Sequence, residues 1–228
     1  MMAVTMAGLL ADLDAETRVV DAMLDGLVPG DWELPTPAAG WAIRDQVSHL
    51  AFFDGCATRA ATDPATFRSE AAALTVLGQG FPDVVARRHR NRTPTELLTW
   101  FRGGRTDLLR TFARLDPKAR VPWFGPDMSV TSSATARLME TWAHGQDIAA
   151  TLGITMRPTD RLRHIAHLGV RTFGFSFRLR GRDVPDTEVR VDLAAPGGGR
   201  WTWGPHTAAD VVVGPALDFC LVVTQRRH

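Results

Sequence analysis

Apolar side chains recur at helical spacing along four long stretches of this chain. Each stretch has to bury one face, and together they point to a helical bundle. The first runs from about Thr5 to Leu27, with Leu9, Leu10, Leu13, Val20, Met23, Leu24 and Leu27 on its stripe, and stops at Pro29-Gly30. The second carries Ile43, Val47, Leu50, Ala51 and Asp54 at i, i+4 and i+7 spacing and extends to about Thr62, ahead of Pro64. Thr93, Pro94 and Glu96 supply a cap, a first-turn proline and an acidic first turn for the third, which should end near Asp116-Pro117. The fourth is expected from Ser132 or Ser133 through Leu138, Trp142, Ile148 and Leu152, closed by Gly153. Between the second and third, Gly78, Gly80 and Pro82 interrupt residues Phe67 to Asn91, which read as a shorter helix pair or an elaborated connection.

Beyond Gly153 the pattern changes. A helix from about Asp160 to Arg178 is followed by period-two alternation in Glu188 to Leu193 and Arg200 to Trp203 around a glycine turn at Gly197 to Gly199. Ala209 to Val213 reads as another strand and Ala216 to Arg226 as a closing helix. The expected organisation is mainly α: a helical bundle over residues 1–157 and a small α+β domain over 158–228, divided near Arg157-Pro158.

With 228 residues, 45% of them hydrophobic, the chain can bury one large core or two small ones. A formal net charge of +1, spread along the chain, supplies no concentrated basic face for a nucleic-acid backbone. Two cysteines, Cys56 and Cys220, make no disulfide framework or cysteine–metal cluster and fit a reducing, cytoplasmic setting. The early acids Asp12, Asp14 and Glu16 are unlike a signal peptide, and no apolar run reaches about 18 residues, so no membrane association is expected.

The chemistry-bearing pattern lies on the second and fourth helices. Glu140 and His144 stand four apart and share a helical face with Asp147, a spacing that suits two ligands of one ion but equally a solvated ion pair. His49, between Val47 and Leu50 in the second helix, can supply a third ligand from a facing helix or can simply be a satisfied core histidine. Two imidazoles and one carboxylate leave a tetrahedral ion an open position, as in catalytic rather than structural zinc sites. Cys56, seven residues after His49, lies about 10 Å along the helix axis and is read as core. Trp32, Trp41, Trp100, Trp123 and Trp142 are expected to fill and rim the bundle, and Arg87 to Arg92 to form a solvated basic face or to meet an anionic thiol cofactor.

Trp41-x-Ile43-Arg44-Asp45-Gln46-Val47-x-His49-Leu50 and Glu140-Thr-Trp-Ala-His144-Gly-Gln-Asp147-Ile-Ala resemble the signatures of the DinB-like superfamily of metal-binding bundles. Within it they are similar to the N-terminal domain of the mycothiol-dependent maleylpyruvate isomerases. Val211-x-Val-Gly-Pro215 and the apolar helix after it are similar to that family's small sterol-carrier-like C-terminal domain. That domain usually continues past its last helix, whereas this chain stops at His228, so the module is expected to be minimal or truncated.

The resemblance implies a divalent metal, zinc by ligand type, held by His49, Glu140 and His144, with mycothiol or a similar thiol as cosubstrate. It implies a carboxylate beside the metal at Asp147, able to orient His144 or hold a substrate proton, and a substrate-carboxylate arginine at Arg226 or Arg227. The expected activity is a thiol-dependent isomerisation or S-transfer on a small electrophilic or unsaturated substrate. A hydrolase using metal-activated water and a non-enzymatic metal-binding stress or regulatory protein are the alternatives. A monomer or homodimer without nucleic-acid partners is expected.

Overall fold

The computed structural model describes residues 5–227. They form two compact units divided between Thr155 and Met156.

In the first unit the helices are α1 (Met6–Leu24), α2 (Ile43–Thr62), α3 (Pro64–Thr75), α4 (Phe81–Arg88), α5 (Pro94–Phe112) and α6 (Val130–Thr151). A 3-10 turn at Pro29–Glu33 and a hairpin of β1 (Arg120–Val121) and β2 (Met128–Ser129), neither expected from periodicity, join them. Local chemistry sets the helix ends. Thr93 Oγ1 accepts from Glu96 N while the Glu96 carboxylate accepts from Thr93 N, a reciprocal cap for α5. Ser129 Oγ accepts from Ser132 N, so α6 begins two residues before Ser132. At the far end Gly153, at φ +67°, lets Ile154 N reach back to Ala149 O, which stops the helix. The interrupted segment is the helix pair α3 and α4, separated by Gly78 at φ +73°.

Helices α1, α2, α5 and α6 surround the core, where Leu24, Trp32, Ile43, Val47, Leu50, Leu97, Phe101 and Ile148 pack together. Trp32 and Trp142 are buried, and Trp41, Trp100 and Trp123 are half-buried at its margin. Cys56 packs beside Phe67 and Trp123, and burial pushes its thiol up to about 12, which keeps it protonated and inert.

The middle of the bundle is polar. Asp54 on α2 is fully buried and accepts from Arg105 Nε of α5 at 2.8 Å and from Arg137 Nε of α6 at 2.9 Å. Arg105 also donates to Thr17 of α1 and, at 2.9 Å, to Thr141 of α6, while Arg137 donates to the Leu50 carbonyl at 3.3 Å. One carboxylate therefore ties four helices together.

The second unit contains α7 (Leu162–Arg171), α8 (Phe173–Leu179), β3 (Val189–Ala194), β4 (Arg200–Trp203), β5 (Asp210–Pro215) and α9 (Ala216–Val223). Strand β3 is central, antiparallel to β4 and parallel to β5. Leu162, Ile165, Val191, Leu193, Cys220 and Leu221 are buried. Gly169 permits close approach of α9, because a Cβ there would stand 2.9 Å from the Val223 side chain. The single helix expected from Asp160 to Arg178 is two. Thr172 leaves helical geometry at φ −94°, ψ 5°, and its hydroxyl bonds back to Leu168 O, a contact that bends helices. The closing helix ends at Val223, short of Arg226, with Gln225 at φ +61°.

Asp54→Ala would leave two buried guanidinium groups without their counter-ion and should destabilise the helical unit by about 3–5 kcal/mol in denaturant unfolding. Arg68→Ala, which removes an exposed pair with Asp127, should cost at most about 1 kcal/mol by the same measurement.

Candidate metal centre

Helix α2 is anchored at its start by Asp45. The Asp45 Oδ2 atom accepts from Ala42 N at 2.9 Å, and the carboxylate is paired with Arg90 Nε and Nη2 at 2.9 and 2.8 Å. Arg90 belongs to the basic run Arg87 to Arg92, in which Arg92 also lies 4.6 Å over the Trp100 ring. Part of that run is thus engaged in holding the fold rather than forming a free basic face. One turn beyond Asp45, His49 faces α6, where Glu140 and His144 project from adjacent turns.

The three side chains converge. Glu140 Oε2 lies 3.2 Å from His49 Nε2 and 3.1 Å from His144 Nε2, and all three atoms fall within 4.8 Å of one another. Donors about 2.0–2.1 Å from a tetrahedral ion stand about 3.3 Å apart, so the spacing suits a shared cation. The side chains of His49 and His144 are 11% and 10% exposed and that of Glu140 is 31% exposed, so the cluster opens toward solvent on the carboxylate side.

Hydrogen bonding decides which way His144 presents its lone pair. Thr36 Oγ1 donates to Trp41 O at 2.9 Å, so this hydroxyl has only acceptor capacity left for Gln46 Nε2, 2.7 Å away. The Gln46 oxygen is thereby turned toward His144 Nδ1, which donates to it. His144 Nε2 is left with its lone pair directed at an anionic carboxylate, and a proton or a cation has to stand between them. His49 is held neutral. Burial, reinforced by the charge of His144, pushes it down to about 4. Its Nδ1 is buried without a hydrogen-bond partner, and Nε2 is the nitrogen that faces Glu140, so Nε2 is the atom placed to meet an ion. Burial opposes ionisation of Glu140, but hydrogen bonds and charge from the two histidines hold its carboxyl well below the usual carboxylate range. Two imidazole nitrogens and one anionic oxygen, gathered on facing helices, form a donor set suited to a divalent ion such as zinc.

Asp147 is buried with its Oδ2 atom 4.0 Å from His144 Nδ1. The nitrogen it was expected to orient is instead engaged at closer range by Gln46. The Gln46–Thr36 relay was missed in the sequence, although Gln46 stands three residues before His49 on the same buried face. A polar residue on an apolar stripe was the available signal. Trp41 also borders the site. Its ring lies 5.2 Å from that of His49 and 5.9 Å from that of His144, and its Nε1 donates to Asp83 Oδ1 at 2.7 Å. Arg226 belongs to the second unit, where its Nη1 donates to Thr224 O at 2.7 Å. A cavity of about 230 Å³ opens beside His49 and Glu140, walled chiefly by Phe53, Phe81, Trp123, Phe124 and Met128.

Residues 13–149 match the profile of the family described as the mycothiol maleylpyruvate isomerase N-terminal domain. The uncharacterised proteins MT0041 and Rv0036c of Mycobacterium tuberculosis, strains CDC 1551 and H37Rv, are each 44% identical over 218 residues, covering 96% of this chain and 85% of the relative. Among solved structures, a mycothiol-dependent maleylpyruvate isomerase and a histidine-to-alanine mutant of it share the fold at a TM-score of 0.66. They are 14% and 13% identical to this chain, and each alignment covers 98% of this chain and 91% of the solved one. Among the described residues no helix is long and apolar enough to cross a membrane.

Gln46→Leu removes the acceptor that fixes His144 and should weaken metal affinity about 10–100-fold in chelator competition, whereas Gln46→Glu, which keeps an acceptor, should retain it.

Proposed function

Because the chain belongs to the mycothiol maleylpyruvate isomerase family, whose named activity is a thiol-dependent isomerisation, we propose that it is a divalent-metal enzyme. It would join a low-molecular-weight thiol, mycothiol or a close analogue, to a small electrophilic, unsaturated substrate. The observation that carries this reading is the convergence of His49 Nε2, Glu140 Oε2 and His144 Nε2 at the wall of an aromatic cavity. His49, Glu140 and His144 are the proposed ligands, and zinc is the ion the donor set fits best. When bound, such an ion lowers the pKa of a thiol at its open position, making a nucleophilic thiolate available near neutral pH.

The protein's own residues would supply the rest. Gln46, through its bond to His144 Nδ1, keeps Nε2 available as a donor. The aromatic walls limit access of water, which strengthens charge interactions in the pocket, and the ion's charge offsets the cost of holding a thiolate there. In the reaction the thiol sulfur adds to one carbon of an activated double bond and a proton goes to the other. If the new single bond rotates and the thiol is eliminated, the product is the geometric isomer. If the adduct persists, the outcome is S-transfer. Asp147, buried beside His144, is proposed to handle the proton.

His49→Ala, Glu140→Ala and His144→Ala should each lower metal content measured by elemental analysis. Full occupancy in all three would contradict the ligand assignment. Asp147→Asn should keep its metal and lose turnover about 10–100-fold, with the two quantities measured on the same sample. Loss of the ion itself would make Asp147 a ligand.

A further inference from the structure

The walls of the cavity beside His49 and Glu140 carry information about the electrophile. Phe53 stands one turn after His49 on α2, with the two rings 4.5 Å apart, so the aromatic surface begins at the ligand itself. From there the rings continue without interruption. Phe53 lies 6.0 Å from Phe81, 6.2 Å from Trp123 and 5.5 Å from Phe124, and Phe81 lies 4.9 Å from Phe124. Most of these pairs are tilted or edge-on, the arrangement in which aromatic rings attract one another and an inserted ring can find a face or an edge. Pro82, Met128 and Ala136 complete the apolar wall.

Apart from the ligands, the polar side chains lining the cavity are Ser133 and Arg137. The Arg137 guanidinium is engaged by Asp54 Oδ1 and the Leu50 carbonyl, both buried, and releasing it would strand the Asp54 charge. It is therefore a poor partner for a carboxylate of the substrate. A compact dicarboxylic acid could set one carboxylate against the ion, but its second would be desolvated against four aromatic rings with no disengaged side-chain cation among the lining residues, a costly arrangement. An aryl group would be buried favourably there. A dry apolar cavity of about 150 Å³ accommodates benzene, and the volume here is about 230 Å³, enough for a ring and a short unsaturated arm that ends at the ligands.

We propose that this cavity selects an electrophile with a planar apolar body, an aryl-substituted α,β-unsaturated ketone or aldehyde, in preference to a small dicarboxylic acid. The proposal rests on the thiol-and-metal reading above and names its substrate class. The thiol S–H adds across the carbon–carbon double bond, sulfur to the β-carbon and hydrogen to the α-carbon, and no oxidant or reductant is consumed. The aryl ring occupies the cage of Phe53, Phe81, Trp123 and Phe124, and the enone lies toward His49 and Glu140.

The test is calorimetric titration of the metal-loaded full chain with two unreactive saturated analogues, 4-phenylbutan-2-one and succinate. The aryl ketone should bind at least about tenfold more tightly, and Ala136→Phe, which fills the cavity, should weaken it by at least about tenfold with metal content unchanged. Equal or tighter binding of succinate to the unsubstituted chain would overturn the proposal. So would an Ala136→Phe protein that is folded and metal-loaded and binds the ketone as before. Should that variant fail to fold, the ranking of the two ligands on the unsubstituted chain decides alone. Thiol-dependent loss of 4-phenylbut-3-en-2-one, followed by its absorbance, tests the reaction class separately. Its absence alongside the expected ligand ranking would remove the thiol chemistry and leave the selectivity of the cavity standing.

Discussion

Asp54 is fully buried between two arginines that come from different helices, and the geometry of the site follows from that placement. Isolated in a low-dielectric core, any one of these charges would be untenable, so Asp54, Arg105 and Arg137 have to be brought together for the bundle to close. Hydrogen bonds from Arg105 to Thr17 and Thr141, and from Arg137 to the Leu50 carbonyl, make the arrangement directional as well as neutralising. Apolar stripes alone would tolerate rotation of α2 against α6. A carboxylate bonded to two guanidinium groups does not. Because Asp54 and His49 share α2 while Arg137, Glu140 and His144 share α6, fixing the one pair of contacts fixes the other about a turn away.

A second layer of constraint acts on the imidazoles. The bundle brings His144 opposite His49, but only the sequence of bonds from Trp41 O through Thr36 and Gln46 determines which nitrogen holds the hydrogen. The same Trp41 closes one side of the site with its ring and is itself held by Asp83 of α4. The loop before α2 and the helix pair between α2 and α5 are thus tied to the site, and the aromatic cavity on its other side borrows Phe81 from α4 and Trp123 and Phe124 from the β1–β2 loop. The long helices α2 and α6 hold His49, Glu140 and His144, and the irregular connections shape the cavity beside them.

That division explains what could be read from the sequence. Four helices, their caps at Thr93 and Gly153, and the Glu140–His144 face were legible because each depends on periodicity or a local turn. His49 was legible as a candidate, and the family resemblance joined it to the pair. Gln46, Asp54 and Arg137 were not legible as partners, since their meaning rests on contacts about 83 to 98 residues apart in the chain. An acid on an apolar stripe looks like a solvated exception until its two arginines are seen. The split between α7 and α8 was missed because Thr172 interrupts the helix through a side-chain bond to Leu168 that periodicity does not register.

The central claim is that Gln46, Asp54 and the four helices exist in this arrangement to hold one cation between His49, Glu140 and His144. Anomalous diffraction from crystals of the zinc-loaded protein tests it most directly. The account predicts a single strong peak about 2.0–2.2 Å from His49 Nε2, Glu140 Oε2 and His144 Nε2, with the remaining coordination position facing the aromatic cavity and filled by no protein atom. An ion bound elsewhere, or one closed off by a fourth protein ligand, would contradict it.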